Sequence, residues 1–422
     1  MDKPLSLRKM NDKMKQVQKD DTIAMPMVTH DPYNAFLDTP GPEIESASGV
    51  LSGKTLAVKD IYDVAGYVTG CGNPQKQAEN PPAEKTAAGV QTLLDAGARF
   101  IGKTQTDELA FSLNGDNAHF PRPINPVAPD RITGGSSSGS AAAVAGRLAD
   151  IAVGSDTGGS VRAPASYCGL VGLRASHGAI PLFGAMPLAP SFDVFGWFAT
   201  DIALYETVAG LLLPETTLDF RRLMRLPEQE DLLAGESERQ VFETSALAVE
   251  AVVGAARPVS LDSVDQDERY WCLRRIQGYE AWQSHGEWIR AADRNLGPGV
   301  KERFEFGGTI GAESLQGESI KREALTREIT DLLADDGLLV TPTVPGAAPP
   351  AVSSFDAVQA YRERALRLLC VAGLTGLPEL TLPLGTVEGA PFGLSLIGPK
   401  GSDRALLAFG RTILDAAAEG DG

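Results

Sequence analysis

Four histidines and four cysteines are all that this 422-residue chain holds of the side chains that most often ligate metals or activate nucleophiles. The cysteines, Cys71, Cys168, Cys272 and Cys370, lie far apart and form no C-x-x-C pair, so the spacing of a metal site is missing. A chain this long has no need of a disulfide framework, and scattered thiols fit a reducing compartment. Long apolar runs are missing as well. No stretch of about 18 apolar residues occurs, so no membrane-spanning helix is expected. The N-terminal "MDKPLSLRKMNDKMKQVQKDD" lacks the apolar centre of a secretory signal. Positive charge is in deficit, with 38 Lys and Arg against 55 Asp and Glu, a net of −17. Such a field repels phosphates and argues against nucleic acid and anionic membranes as partners. The expectation is a cytoplasmic protein.

What is present is an ordinary globular composition, 43% hydrophobic and 22% charged, enough for a large core. "SGKTLAVKDIYDVAG" (52–66) holds a short apolar strand. "AAGVQTLLDAGARFIGKT" (87–104) reads as a helix, a stop at Gly97 and a strand "ARFIG". "SAAAVAGRLAD" (140–150) is a helix of small residues, and "IAVGSDTGGS" is a strand running into a glycine loop. "LLVTPTVP" (338–345) reads as a buried strand, "PELTLPLG" and "PFGLSLIGP" as a strand pair, and "DRALLAFGRTILDAAAE" as an amphipathic closing helix. Glycine-rich segments flank a charged, helical middle, which points to one α/β core with an insertion. The expected boundaries are an N-terminal extension over 1–30 and a single domain over 31–422. Within it the core covers about 48–210 and 336–422, and the helical insertion about 214–335.

Two motifs mislead. "GARFIGKT" (97–104) fits the phosphate-loop pattern G-x-x-x-x-G-K-[ST]. A phosphate loop follows a strand and opens a helix so that its amides face phosphate; here a helix precedes Gly97, and Ala98 to Ile101 are the strand itself. "GSSSG" (135–139) fits the nucleophile elbow with Ser137 at its centre. That elbow needs a histidine base late in the chain. His177 follows too soon, and His285 in "WQSHGEW" reads as a helix-surface or core histidine.

Without a histidine, a serine nucleophile needs another base. In "AVGSDTGGSVRAPAS" (152–166) a strand ends and Gly158–Gly159 lead into Ser160. Glycines there let several N–H groups aim at one point, as an oxyanion would require; a Gly-Gly-Ser turn with a purely structural role fits the same letters. Lysine is the remaining base, since burial disfavours the ammonium form. Lys59 lies in "LAVKDIYDV" among apolar neighbours, whereas Lys54 and Lys103 read as solvated.

"GGSSSGSAAAVAGRLADIAVGSDTGGSVRAPA" resembles the defining stretch of the amidase signature family, and the 24-residue step from Ser136 to Ser160 is similar to that family's spacing. The resemblance implies an α/β fold with one central mixed, twisted β-sheet covered by helices on both faces. It implies Ser160 as nucleophile, Ser136 as a bridging serine after a cis peptide bond, and Lys59, in "AVKD", as base. Backbone N–H groups of Thr157, Gly158 and Gly159, with that of Ser160, would form the oxyanion hole. Asp156 and Arg162 would support the loop, although in some members the equivalent arginine binds an acidic substrate. Ser137 and Ser138 would hold the loop by hydrogen bonds. "VKDIYDVAGYVTGCGNP", "NGDNAHF", "PASYCGLVGLRASHGAIP" and "SFDVFGWFA" look like the short amidases near plant indole-3-acetamide hydrolase. Those imply a small amide substrate such as an aryl-acetamide, no metal or cofactor, and a homodimer. "RRIQGYEAWQSHGEWI" would give the pocket aromatic walls or simply a helix core. Rival readings are an esterase or carbamate hydrolase on the same triad, a non-catalytic scaffold, a glutamine-dependent transamidase subunit and, most remotely, a nucleotide hydrolase.

Overall fold

Short apolar runs, buried along nearly their whole length, build the central strands of the computed structural model, which describes residues 28 and 30–420. The expected extension over 1–30 therefore lies almost wholly outside the described residues. The first ladder takes β1 (Thr55–Lys59), β2 (Arg99–Thr104) and β3 (Ile151–Asp156). It then skips β4 (Gly172–Arg174) and takes β5 (Val194–Ala199). Its order is β2-β1-β3-β5. β1 runs parallel to both β2 and β3, and β5 closes the edge antiparallel to β3. The second ladder has the order β4-β9-β10-β8-β6-β7, with β6 (Arg222–Arg225), β7 (Arg257–Pro258), β8 (Gly337–Pro342), β9 (Glu379–Val387) and β10 (Ala390–Ile397).

The mixed α/β class is as the sequence implies, and helices flank the strands. The sheet is made of two hydrogen-bonded ladders, which adjoin where β4 packs beside β5. The helices that shape the site are α1 (Ala88–Asp95), α2 (Ser138–Ala145) and α3 (Arg162–Cys168), then α4 (Gln266–Ala291), α5 (Val300–Gly308), α6 (Leu315–Leu333) and α7 (Phe355–Thr375). α2 is built of Ser, Gly, Ala and Val, and its small side chains let it lie directly against β1, β3 and β5. It ends earlier than its apolar pattern suggests, because Gly146 caps it and Arg147 turns to a left-handed φ of 59°. α4 packs against α5, α6 and α7 and brings that helical group over the loop after β3.

The phosphate-loop letters, 97–104, follow α1 and form Gly97 at φ 100° and then β2, so no amide cradle exists there. Lys103, expected in solvent, is fully buried. Its ammonium lies 3.3 Å from the Asp60 carboxylate, which β1 delivers alongside, and this ion pair replaces the lost water.

Because β1 and β3 run parallel, their C-terminal ends open on one edge. Lys59 and Asp156, the last residues of those strands, are brought to that edge together.

Candidate active site

Lys59 has no exposed surface. Its Nζ contacts three hydroxyls, Ser136 at 2.7 Å, Ser155 at 2.9 Å and Ser137 at 3.1 Å. Burial is the leading influence on this amine; it outweighs Asp107, Asp156 and Asp193, which favour the ammonium, and pulls the pKa down to about 7. A neutral amine offers two N–H donors and one lone pair, so one of the three hydroxyls must donate to it. Ser137 already directs its proton to the Ser155 carbonyl at 3.2 Å and accepts from the Ser155 N–H. The choice falls between Ser136 and Ser155, and Ser136 is the shorter contact. The Gly135–Ser136 peptide is cis.

Gly135 is required by its neighbour, since a Cβ there would lie 2.2 Å from the Asp107 carboxylate. Asp107 is buried, receives the Gly115 N–H at 3.0 Å on one oxygen and leaves the other unpartnered among the described residues. Burial first, then Asp116, push its pKa up to about 7. Asp107 is also the foremost of the charges that favour the Lys59 ammonium. Asp107→Asn is therefore expected to move the acid limb of the pH–activity profile to lower pH. A limb that moves to higher pH would contradict this coupling.

Asp156 forms the floor under Ser160. Its carboxylate accepts from the N–H groups of Gly159, Val161 and Arg162 at 2.9, 3.2 and 3.3 Å. Arg162 grips it through Nε and Nη2 at 3.0 and 2.9 Å, and Arg174 adds a bond at 3.0 Å. Burial opposes ionisation, yet the two arginines and the backbone donors overcome it and hold the carboxyl well below the usual carboxylate range. Arg162 also donates to Glu379 and to the Leu369 carbonyl, so its guanidinium is committed inside the protein. Asp156→Ala would leave buried Arg174 without an acid and Arg162 with Glu379 alone. It is expected to cost roughly 3–5 kcal/mol of stability, read as a fall of several degrees in the thermal melt. An unchanged melt would contradict the role given to this carboxylate.

The Ser160 loop needs Gly159 for two reasons: φ is 124°, and a Cβ would meet Leu369 at 2.4 Å. The expected oxyanion donors separate here. The Gly159 N–H is taken by Asp156, which corrects its place in the set. The N–H groups of Thr157, Gly158 and Ser160 have no partner among the described residues. Thr157 is fixed from behind, its hydroxyl donating to Asp193 at 2.6 Å. Ser160 is almost fully buried at the wall of a cavity shared with Thr157, Gly158, Phe111 and Leu188. Its hydroxyl makes no hydrogen bond among the described residues, so the Ser136–Ser160 link stands open in this state. Ser138, expected to hold the loop as well, opens α2 and its side chain makes no hydrogen bond among the described residues, so the loop's side-chain hydrogen bonds come from Ser136 and Ser137.

Three contributors were not singled out from sequence. Ser155 is adjacent in the quoted motif but reads as strand. Asp193 lies in "SFDVFGWFA", where its letters give no hint of Thr157. Gln277 on α4 lines the cavity beside Gly158. That residue, rather than an aromatic, is what "RRIQGYEAWQSHGEWI" presents to this cavity. His285 is buried in α4 with Nε2–H donating to the Pro187 carbonyl at 2.8 Å. Burial draws its pKa down to about 4, so it serves packing and not the serines. No group of three or more metal-ligating side chains occurs among the described residues.

The sequence profile of the amidase family matches residues 7–236 and 262–407. Amidase 1 of Arabidopsis thaliana is 39% identical over 419 residues, spanning 90% of this chain and 98% of the relative. A glutamyl-tRNA(Gln) amidotransferase subunit of Thermus thermophilus is 35% identical over 434 residues, spanning 91% and 90%. A crystal structure of an amidase superposes with a TM-score of 0.78 at 28% identity, covering 97% of this chain and 95% of that one.

Proposed function

This chain belongs to the amidase signature family, and from that premise we propose that it hydrolyses a small primary amide through an acyl-enzyme on Ser160. The observation that carries the reading is Lys59, buried against three serine hydroxyls with its pKa down at about 7. Neutral Lys59 accepts a proton from Ser136 while Ser136 accepts one from Ser160. The Ser160 oxygen bonds to the amide carbon, and the carbonyl oxygen becomes an oxyanion facing the N–H groups of Thr157, Gly158 and Ser160. The proton returns through Ser136 to the nitrogen, the C–N bond breaks, and ammonia leaves. Water then adds to the acyl carbon by the same relay and releases the carboxylate and free Ser160. No step calls for a metal or cofactor.

An aryl-acetamide such as indole-3-acetamide is one arm of this proposal. An adjoining cavity of about 170 Å³, lined by Tyr62, Leu182, Met186 and Leu188, suits a ring beside Thr157. The proposal also takes the enzyme to be cytoplasmic, in keeping with four buried free thiols. A homodimer is carried from the family resemblance, and light scattering would read it. No helix among the described residues is long and apolar enough to cross a membrane.

Ammonia release from indole-3-acetamide, phenylacetamide, malonamate and glutamine tests the activity. The pH profile tests the base. Lys59 works as its neutral form, so kcat/KM is expected to rise as pH passes about 7 and to level off above it. A flat profile between pH 5 and 9, or one that falls through 7, would contradict Lys59 as the base.

The similarity to the Thermus amidotransferase supports a second reading, in which ammonia passes to a partner protein. Turnover of glutamine alone, together with a copurifying partner, would favour that reading.

A further inference from the structure

Buried arginines in this protein are matched with acids. Arg162 has Asp156 and Glu379, Arg174 has Asp156, Arg269 has Glu228, and Arg294 has Glu79. Two break the pattern. Arg362 on α7 is 6% exposed and Arg303 on α5 is 7% exposed. Neither guanidinium makes a hydrogen bond or an ion pair among the described residues, and the Nε of each is buried without a partner. Burial first, then the charge of Arg274 on Arg303 and the charges of Arg303 and Arg274 on Arg362, push both below the usual arginine range, Arg303 to about 10. An uncompensated guanidinium in a protein interior is costly.

Their position explains why the chain keeps them. Arg362 lines the same cavity as Ser160, Thr157 and Gly158. Arg303 lies over the ring of Phe111, another wall of that cavity, at 5.8 Å. The third member of the group, Arg274, is held aside by a bond to the Tyr270 hydroxyl at 2.6 Å. The acids with the most influence on Arg303 are Asp107 and Asp116, and neither comes within ion-pair distance of it. A planar guanidinium beside the attacking serine, with its donors unspent, matches a carboxylate in shape and charge. Arg162 cannot offer this, because its donors are already used inside the loop.

We propose that the substrate is a short amide carrying a carboxylate on its acyl side, and that Arg362, backed by Arg303, receives that carboxylate. The inference rests on the amidase reading above. A primary amide loses only ammonia, so the anionic group has to belong to the acyl half. Arg362 and Ser160 line the same small cavity, which suits an amide and a carboxylate joined by a short chain. A monoamide of a short dicarboxylic acid has that form.

The test compares kcat/KM for malonamate and succinamate with the neutral diamides malonamide and succinamide, and with indole-3-acetamide. Wild type is expected to favour the anionic member of each pair by at least about tenfold, the scale of one hydrogen bond to a charged group. In Arg362→Met that ratio should collapse towards one, while Arg362→Lys should keep part of it. A binding readout is independent of turnover: malonate should raise the melting temperature of wild type and leave that of Arg362→Met unmoved. Should Arg362→Met fail to fold, Arg303→Met and Arg362→Lys carry the comparison. A wild type that prefers the neutral or aryl amides overturns the proposal and leaves the amidase reading standing, as does an anion preference that survives Arg362→Met. Loss of all amide turnover together with an unreactive Ser160 towards a fluorophosphonate would overturn both.

Discussion

Ser160→Ala is expected to abolish amide hydrolysis, lowering kcat by roughly 10^4- to 10^6-fold, as removal of a nucleophile does in other serine hydrolases. The hydroxyl is the atom that forms the acyl bond, and no neighbour can replace it. Ser137 is spent on Ser155 and Lys59, and Ser136 lies against the lysine amine. The substitution removes one oxygen from an almost fully buried position, so the melting temperature should hardly change. Ammonia release measured beside a thermal melt checks both halves. Residual turnover above about a hundredth of wild type would place the nucleophile elsewhere.

Lys59→Met is expected to produce a loss of similar size, about 10^4-fold, with the acid limb near pH 7 disappearing from what activity remains. Methionine fills the space of the lysine stem without a basic nitrogen. Ser136 then has no base to receive its proton, and Ser160 keeps its own. Because the three residues act as one relay, the double variant with Ser160→Ala should be no worse than the worse single one. Additive losses would mean that lysine and serine act in separate steps.

Local letters made these two residues candidates, since Lys59 ends an apolar strand and Ser160 follows a Gly-Gly turn. A structural turn fits the Gly-Gly-Ser letters equally well, and their roles as base and nucleophile came from the resemblance of the whole stretch to the amidase signature. The strands Gly337–Pro342, Glu379–Val387 and Ala390–Ile397 were legible for the same local reason, an apolar run between turn residues. What could not be read is pairing over distance. Lys103 has the letters of a solvated lysine, and only the parallel β1–β2 register puts Asp60 beside it. Thr157 finds Asp193 across the antiparallel β3–β5 pair, and Asp156 finds Arg174 from β4. The strands Arg222–Arg225 and Arg257–Pro258 are too short and too charged to show alternation, so the middle segment read as charged and helical with no strand picked out. Arg362 is the extreme case. On an amphipathic helix an arginine belongs to the polar face, and only the packing of α7 over the Ser160 loop turns it inward.

The oxyanion donors show the same limit at finer scale. Sequence gives a run of backbone N–H groups from Thr157 to Ser160 but not their directions. The Asp156 carboxylate, ionised well below the usual range by its arginines, claims the one at Gly159. The remaining three, at Thr157, Gly158 and Ser160, have no partner among the described residues, and their residues line the cavity that Arg362 also lines.

The most direct test of the central claim is to locate the covalent bond itself. The protein is treated with a fluorophosphonate, digested, and the modified residue is mapped by mass spectrometry, with the labelling rate followed between pH 5 and 9. The account predicts a single adduct on Ser160 whose rate of formation rises through about pH 7. An adduct on Ser136 or Ser137, or a Ser160 that stays unmodified across that range, would contradict it.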